Sequence, residues 1–149
     1  MVEIAPGLYV GSLDDCPAKI PTIHALKEPC YLDACPPQLH RKKGDPRYLF
    51  VERGTNLYLN LVDARTPKYF STELFTTALA FIDRFDEVLI HCNQGQSRAP
   101  SIGLLWMAKR VWGSASFAEA CIPFLEIYPD SLPGPGIKSF LSEHWKELH

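Results

Sequence analysis

His91-Cys92-Asn93-Gln94-Gly95-Gln96-Ser97-Arg98 sets a thiol and a guanidinium six positions apart, around a short polar loop with one glycine. The apolar run Val88-Leu89-Ile90 before it reads as a buried strand. The run from Ser101 to Ala108 after it reads as a buried helix. Strand, tight loop and helix N-terminus form a geometry that binds phosphate, because free backbone N–H groups and the helix dipole converge on an anion there. Asn93, Gln94, Gly95, Gln96, Ser97 and Arg98 are therefore the candidate phosphate-binding residues. A thiol within such a cradle and an arginine on its rim point to chemistry on a phosphate ester.

A cysteine at the end of an apolar strand is often just a small core residue. That reading explains neither Arg98 at the start of the next helix nor the all-polar loop between them. Loop amides, the helix N-terminus and Arg98 all favour negative charge, so Cys92 is expected to act as a thiolate nucleophile. Arg98 is expected to hold two phosphate oxygens in bidentate fashion. The leaving alkoxide or phenolate then needs a proton from elsewhere. Asp63 is the candidate general acid, since it directly follows the apolar run Leu57–Val62 and opens the loop Asp63-Ala64-Arg65-Thr66-Pro67. Asp83, Asp86 and Glu87 lie around a helix end and a turn, and read as solvated charge.

The elements that must position these residues are legible in outline. Leu8-Tyr9-Val10 and Thr22–Leu26 read as short strands, as do Tyr48–Val51 and Leu57–Val62 around the turn signal Gly54-Thr55-Asn56. Leu74, Phe75, Ala78, Phe81, Ile82 and Phe85 fall at helical spacing behind the N-cap candidates Ser71 and Thr72. Gly113 is the expected stop of the helix after the loop, and Ser116 with Glu119 resembles a capping box. Pro123 should kink or interrupt that next helix, and an amphipathic helix is expected over about 137–148. Residues 27–45, rich in proline and glycine, read as loop. Strands mixed with helices, one strand feeding the central loop, indicate an α/β sandwich.

Bulk properties set limits. A chain of 149 residues suits one domain. A formal charge of -2 gives no global attraction to nucleic acid or an anionic membrane, so any steering must be local. Met1–Pro6 lacks the basic start and apolar run of a signal peptide, and no apolar stretch approaches a membrane span. A cytoplasmic protein without membrane attachment, monomeric and without nucleic-acid partners, is the expectation. Five cysteines (Cys16, Cys30, Cys35, Cys92, Cys121) without an export signal read as free thiols. A regulatory disulfide between Cys92 and a neighbouring cysteine is the redox alternative. Cys30, Cys35 and His40 lack a fourth ligand for zinc, so no metal and no cofactor is expected.

With these residues assembled, the chain resembles the cysteine-dependent protein tyrosine phosphatases, in particular their small dual-specificity branch. His91-Cys92-x5-Arg98 matches that signature. Ile4–Ser12 looks like the branch's opening strand, and Asp63 sits where the family carries its general acid. Pro133-Gly134-Pro135-Gly136-Ile137 is similar to its closing motif. The likeness spans residues 1–149 as one catalytic domain, except for an atypical loop-rich insert at 27–50. It implies a phosphatase-like sandwich with a central mixed sheet flanked by helices, no metal, and a two-step reaction through a phosphocysteine. Cys92, Arg98 and Asp63 would be catalytic, with His91 supporting. The family has Ser or Thr after the arginine, where this chain has Ala99. That implies slow hydrolysis of the phosphoenzyme.

The implied substrate is a phosphorylated protein or another phosphomonoester, because no lysine or further arginine lies between Cys92 and Arg98 to suit a polyanion. The basic stretch His40-Arg41-Lys42-Lys43, with Arg47, is either a solvated loop or a border of the pocket that recruits an anionic substrate. The competing functions are an RNA 5′-phosphatase, a phosphoinositide phosphatase, a non-catalytic phosphoprotein-binding module and a rhodanese-like sulfurtransferase.

Overall fold

The computed structural model describes residues 1–37 and 42–149. Six strands form one sheet: β1 (Val2–Ala5), β2 (Leu8–Gly11), β3 (Thr22–His24), β4 (Phe50–Arg53), β5 (Asn56–Leu59) and β6 (Val88–His91). Their order is β1-β2-β6-β3-β5-β4. The inner strands β2, β6, β3 and β5 run parallel, while β1 and β4 pair antiparallel at the two edges. The sheet is therefore mixed, with β6 flanked on both sides.

Side chains alternate across this sheet. Val10, Ile23, Leu57, Leu59, Val88 and Ile90 enter the main core. Helices α2 (Thr72–Asp83), α3 (Arg98–Met107), α4 (Phe117–Ile127) and α5 (Pro135–Glu143) supply the rest of it. Two helices begin at the serine caps that the sequence offers. Ser71 caps α2 by accepting from the Glu73 N–H at 3.3 Å, and Ser116 caps α4 by accepting from the Glu119 N–H at 3.1 Å. The Glu119 carboxylate reaches back to the Ala115 N–H, one residue before the cap. Pro123 lies within α4, which continues past it to Ile127. The last helix starts at Pro135 and ends at Glu143, followed by a 3-10 turn over Trp145–Glu147.

Several boundaries differ from the sequence reading, for local reasons. The opening segment is a hairpin, β1 and β2 turning through Pro6-Gly7, and not one strand. The helix after the polar loop begins at Arg98, three residues early, because Pro100 in a first turn forfeits no hydrogen bond. Residues 27–45 are not uniformly loop. Glu28 is extended, as a residue before proline must be, and a helical turn follows through α1 (Leu32–Ala34). Pro29 opens that turn instead of breaking it. Tyr31 at its centre is fully buried, its hydroxyl donating to the carbonyls of Arg47 and Tyr48. With Cys35 and Val51 it forms a second, smaller core. Asp83 is more than solvated charge: its carboxylate accepts from Trp106 Nε1 at 2.9 Å and pairs with Arg110, tying α2 to the helix after the loop.

Phe75 is 0% exposed and packs against Phe70 and Phe140, joining α2 to α5. Phe75→Ala is expected to cost about 3–5 kcal/mol, measured as a lower urea midpoint with an unchanged unfolding slope.

Candidate active site

β6 ends at His91, and the chain then turns through 92–97 into α3. Cys92 is 2% exposed. It lines a pocket of about 400 Å³ together with Asp63, Asn93, Gln94, Gln96, Ser97, Arg98 and Leu132. The sequence-predicted nucleophile, arginine and acid thus share one cavity.

The loop's shape is held from outside. The Asn93 carbonyl accepts from the Leu13 N–H at 3.0 Å, and the Gln96 carbonyl from the Leu132 N–H at 2.7 Å. The Gly95 carbonyl accepts from the Tyr128 hydroxyl at 2.6 Å. Burial pushes the Tyr128 phenol above its ordinary pKa, so it stays a donor. Gly95 has φ +73°, and a Cβ there would stand 3.0 Å from the Gly11 carbonyl oxygen. Both facts require glycine. A peptide unit whose carbonyl is turned outward presents its N–H to the opposite side. Three such units turn the N–H groups of Gln94, Gln96 and Ser97 away from those donors.

Ser97 serves Asp63 as well as the loop. Its Oγ donates to Asp63 Oδ1 at 3.1 Å and accepts from the Gly134 N–H at 2.8 Å. A Cβ at residue 134 would lie 2.5 Å from Asp63 Oδ1, so the glycine makes room for the carboxylate. The half-buried Arg98 donates to the Leu61 carbonyl at 3.1 Å. This leaves most of its five donors for a ligand. Ala99 is fully buried. The neighbouring serines do not supply its missing hydroxyl: Ser97 Oγ is committed to Asp63, and the buried Ser101 Oγ has no hydrogen-bond partner.

Behind the loop, His91 is fully buried. Its Nδ1 lies 3.3 Å from the Cys92 carbonyl, and its Nε2 lies 2.7 Å from His24 Nδ1. Burial, reinforced by His24, pushes His91 down to about 4. Burial also lowers His24, raises the Cys16 thiol and pushes Cys30 up to about 12. Cys35 lies apart from this group, in the smaller core. His40 and Arg41 fall outside the described residues. The trio of Cys30, Cys35 and His40, set aside in the sequence for want of a fourth ligand, includes a residue outside the described ones, and the cluster gathered here is a different one. Lys42 and Lys43 are exposed, and Lys42 lines a different hollow with Tyr31 and Tyr48. Arg47 pairs with Asp45 at 3.4 Å. None of these three cations lines the Cys92 pocket.

No family profile matches the sequence, and no curated protein matches it. The likeness lies in three dimensions. The human tyrosine phosphatase-like serine/threonine/tyrosine-interacting protein superposes with a TM-score of 0.65 at 21% identity, over 97% of this chain and 95% of that one. The fold is that of the dual-specificity phosphatases. DUSP15 superposes on it at 0.63 and 21% identity, over 97% of this chain and 86% of its own. PTPMT1, solved in complex with PI(5)P, gives 0.63 at 16% identity, over 97% and 94%. Within this dual-specificity phosphatase fold, no helix of the described residues is long and apolar enough to cross a membrane.

Sequence reasoning found the loop and Asp63 but missed Tyr128, Leu132 and the second role of Ser97. Only the Pro133-Gly134-Pro135 stretch gave a local signal for any of these. Tyr128→Phe keeps the ring and leaves the buried Gly95 carbonyl unpaired. A loss of about 1–3 kcal/mol is expected, read by denaturant unfolding.

Proposed function

We propose that this chain is a phosphatase that hydrolyses phosphomonoesters on proteins through a phosphocysteine. The supporting observation is the shared pocket, in which Cys92, Arg98 and Asp63 meet around an externally braced polar loop. In this reading residues 1–149 act as one catalytic domain, and the loop amides of 93–98 with the Arg98 guanidinium bind the phosphoryl oxygens. The Cys92 thiolate attacks phosphorus. As the P–O bond breaks, Asp63 delivers its proton to the leaving oxygen. Asp63, now a carboxylate, takes a proton from water as that water attacks phosphorus. The S–P bond breaks and inorganic phosphate leaves. His91 supports the nucleophile from behind.

Among the described residues, Arg98 is the one cation in the pocket lining. That balance suits a single phosphate dianion better than a polyphosphorylated ligand, and favours phosphotyrosine, phosphoserine or phosphothreonine on a protein. An RNA 5′-end, a phosphoinositide or thiosulfate would call for different activities, and a binding module for none. A panel of phosphopeptides, phosphoinositides, 5′-triphosphate RNA and thiosulfate therefore tests the reading. Phosphopeptide turnover is expected. It should be abolished in Cys92→Ser and fall about 10²–10⁴-fold in Asp63→Asn. Full turnover by Cys92→Ser would overturn the mechanism.

Ala99 has no hydroxyl to stabilise the departing Cys92 sulfur, so the second step should limit turnover. Rapid-quench kinetics should show a burst of released alcohol. Ala99→Ser is expected to raise steady-state turnover about ten-fold, equivalent to about 1.4 kcal/mol.

A further inference from the structure

Alternation along the strands puts His24 and His91 on the sheet face away from the main core, at one level. His24 pairs in register with His91 of β6 and with Tyr58 of β5. Tyr58 stacks flat on the His24 ring at 4.3 Å. Two cysteines reach the same place from different stretches of chain. Cys16 ends the 3-10 turn after β2, and Cys30 lies in the helical turn after β3. One donor atom from each of Cys16, His24, Cys30 and His91 lies within 4.8 Å of every other. Cys16 Sγ is 3.7 Å from His24 Nδ1.

The outer ring nitrogens are already engaged. His91 Nδ1 faces the Cys92 carbonyl, which can only accept, and His24 Nε2 lies 2.9 Å from Asn56 Oδ1. With Asn56 Oδ1 turned toward His24, both outer nitrogens carry hydrogen. In neutral rings that leaves two lone pairs facing each other across the 2.7 Å between His24 Nδ1 and His91 Nε2. A cation between them removes this repulsion. An outer N–H held by a carbonyl or amide oxygen is also how metal-binding histidines are oriented.

We propose that Cys16, His24, Cys30 and His91 bind one zinc ion. Two thiolates and two neutral imidazoles form a zinc set with all four tetrahedral positions taken by protein, which marks a structural site. Thiolate ligands disfavour magnesium and calcium. The assembled complex is electrically neutral, which suits its burial. Bond lengths of about 2.0–2.3 Å in a tetrahedron put donor atoms roughly 3.3–3.8 Å apart, so shifts of about 1 Å complete the site. The ion would fasten the turn after β2, strand β3 and the 27–34 segment to the strand end that feeds the Cys92 loop. His91 is shared with the phosphatase reading, but Cys92 is not a ligand and zinc content is measured without turnover, so the two readings can fail separately.

The test is metal analysis of full-length protein expressed with zinc and dialysed free of loose metal. About one zinc per chain is expected. Cys16→Ser and Cys30→Ser should lose it, whereas Cys35→Ser, Cys121→Ser and the inactive Cys92→Ser should keep it. Should the ligand variants fail to fold, cobalt added to chelator-stripped wild-type protein decides the matter. Tetrahedral d–d bands and a thiolate-to-cobalt charge-transfer band are expected, displaced by zinc. Folded wild-type protein that takes up neither metal would overturn the proposal. That result would mean that Asn56 turns its NH2 toward His24, so that His24 Nδ1–H donates to His91. A Cys16–Cys30 disulfide, found after alkylating the thiols in intact cells, would overturn it as well.

Discussion

The candidate site depends on one constraint: the backbone between Cys92 and Arg98 must hold a turn whose amides the proposed function needs unspent, and a chain left to itself would spend them on local hydrogen bonds. The fold prevents this by capturing carbonyls. Asn93, Gly95 and Gln96 each give their oxygen to a fixed donor from outside the loop, namely the Leu13 N–H, the Tyr128 hydroxyl and the Leu132 N–H. These donors come from the turn after β2, the end of α4 and the stretch before α5. The sheet order that puts β6 between β2 and β3 is what brings the first of them within reach.

Asp63 illustrates a second consequence of the same layout. An exposed carboxylate on a loop is ordinarily free to swing. Here one serine hydroxyl links it to the Gly134 amide, so Asp63, the 92–97 loop and the approach to α5 share a bridge. Ser97 thus couples the group that would move the proton to the group that would hold the anion. The bridge is short because residue 134 has no side chain to push the carboxylate away.

What could be read in the sequence follows from how local the information is. Cys92, Gly95 and Arg98 were legible because consecutive residues encode a strand, a tight turn and a helix start. Asp63 was legible from its place directly after an apolar run. The 27–34 segment was misread because Pro29 counts as a breaker in a linear scan, whereas in a first turn it costs nothing. Tyr128 and Leu132 carry no local mark. Their roles exist only after α4 has packed. The gathering of Cys16, His24, Cys30 and His91 was equally hidden, because it rests on the register of β3 against β6, a pairing of residues 67 apart. The pairing of Asp83 with Arg110 and Trp106 likewise required two helices to lie side by side.

The tether from Tyr128 to Gly95 links the 92–97 loop to the folded core. The donor of that hydrogen bond sits on a helix whose Phe124 is fully buried in the main core. This hydrogen bond connects the shape of the loop to the packing of the core. An anion held by the loop amides then acts on the folding equilibrium of the whole domain. Its binding free energy adds to global stability as RT ln(1 + [L]/Kd). If the proposed site binds its anion, ligand concentration becomes a variable in the folding equilibrium of the domain.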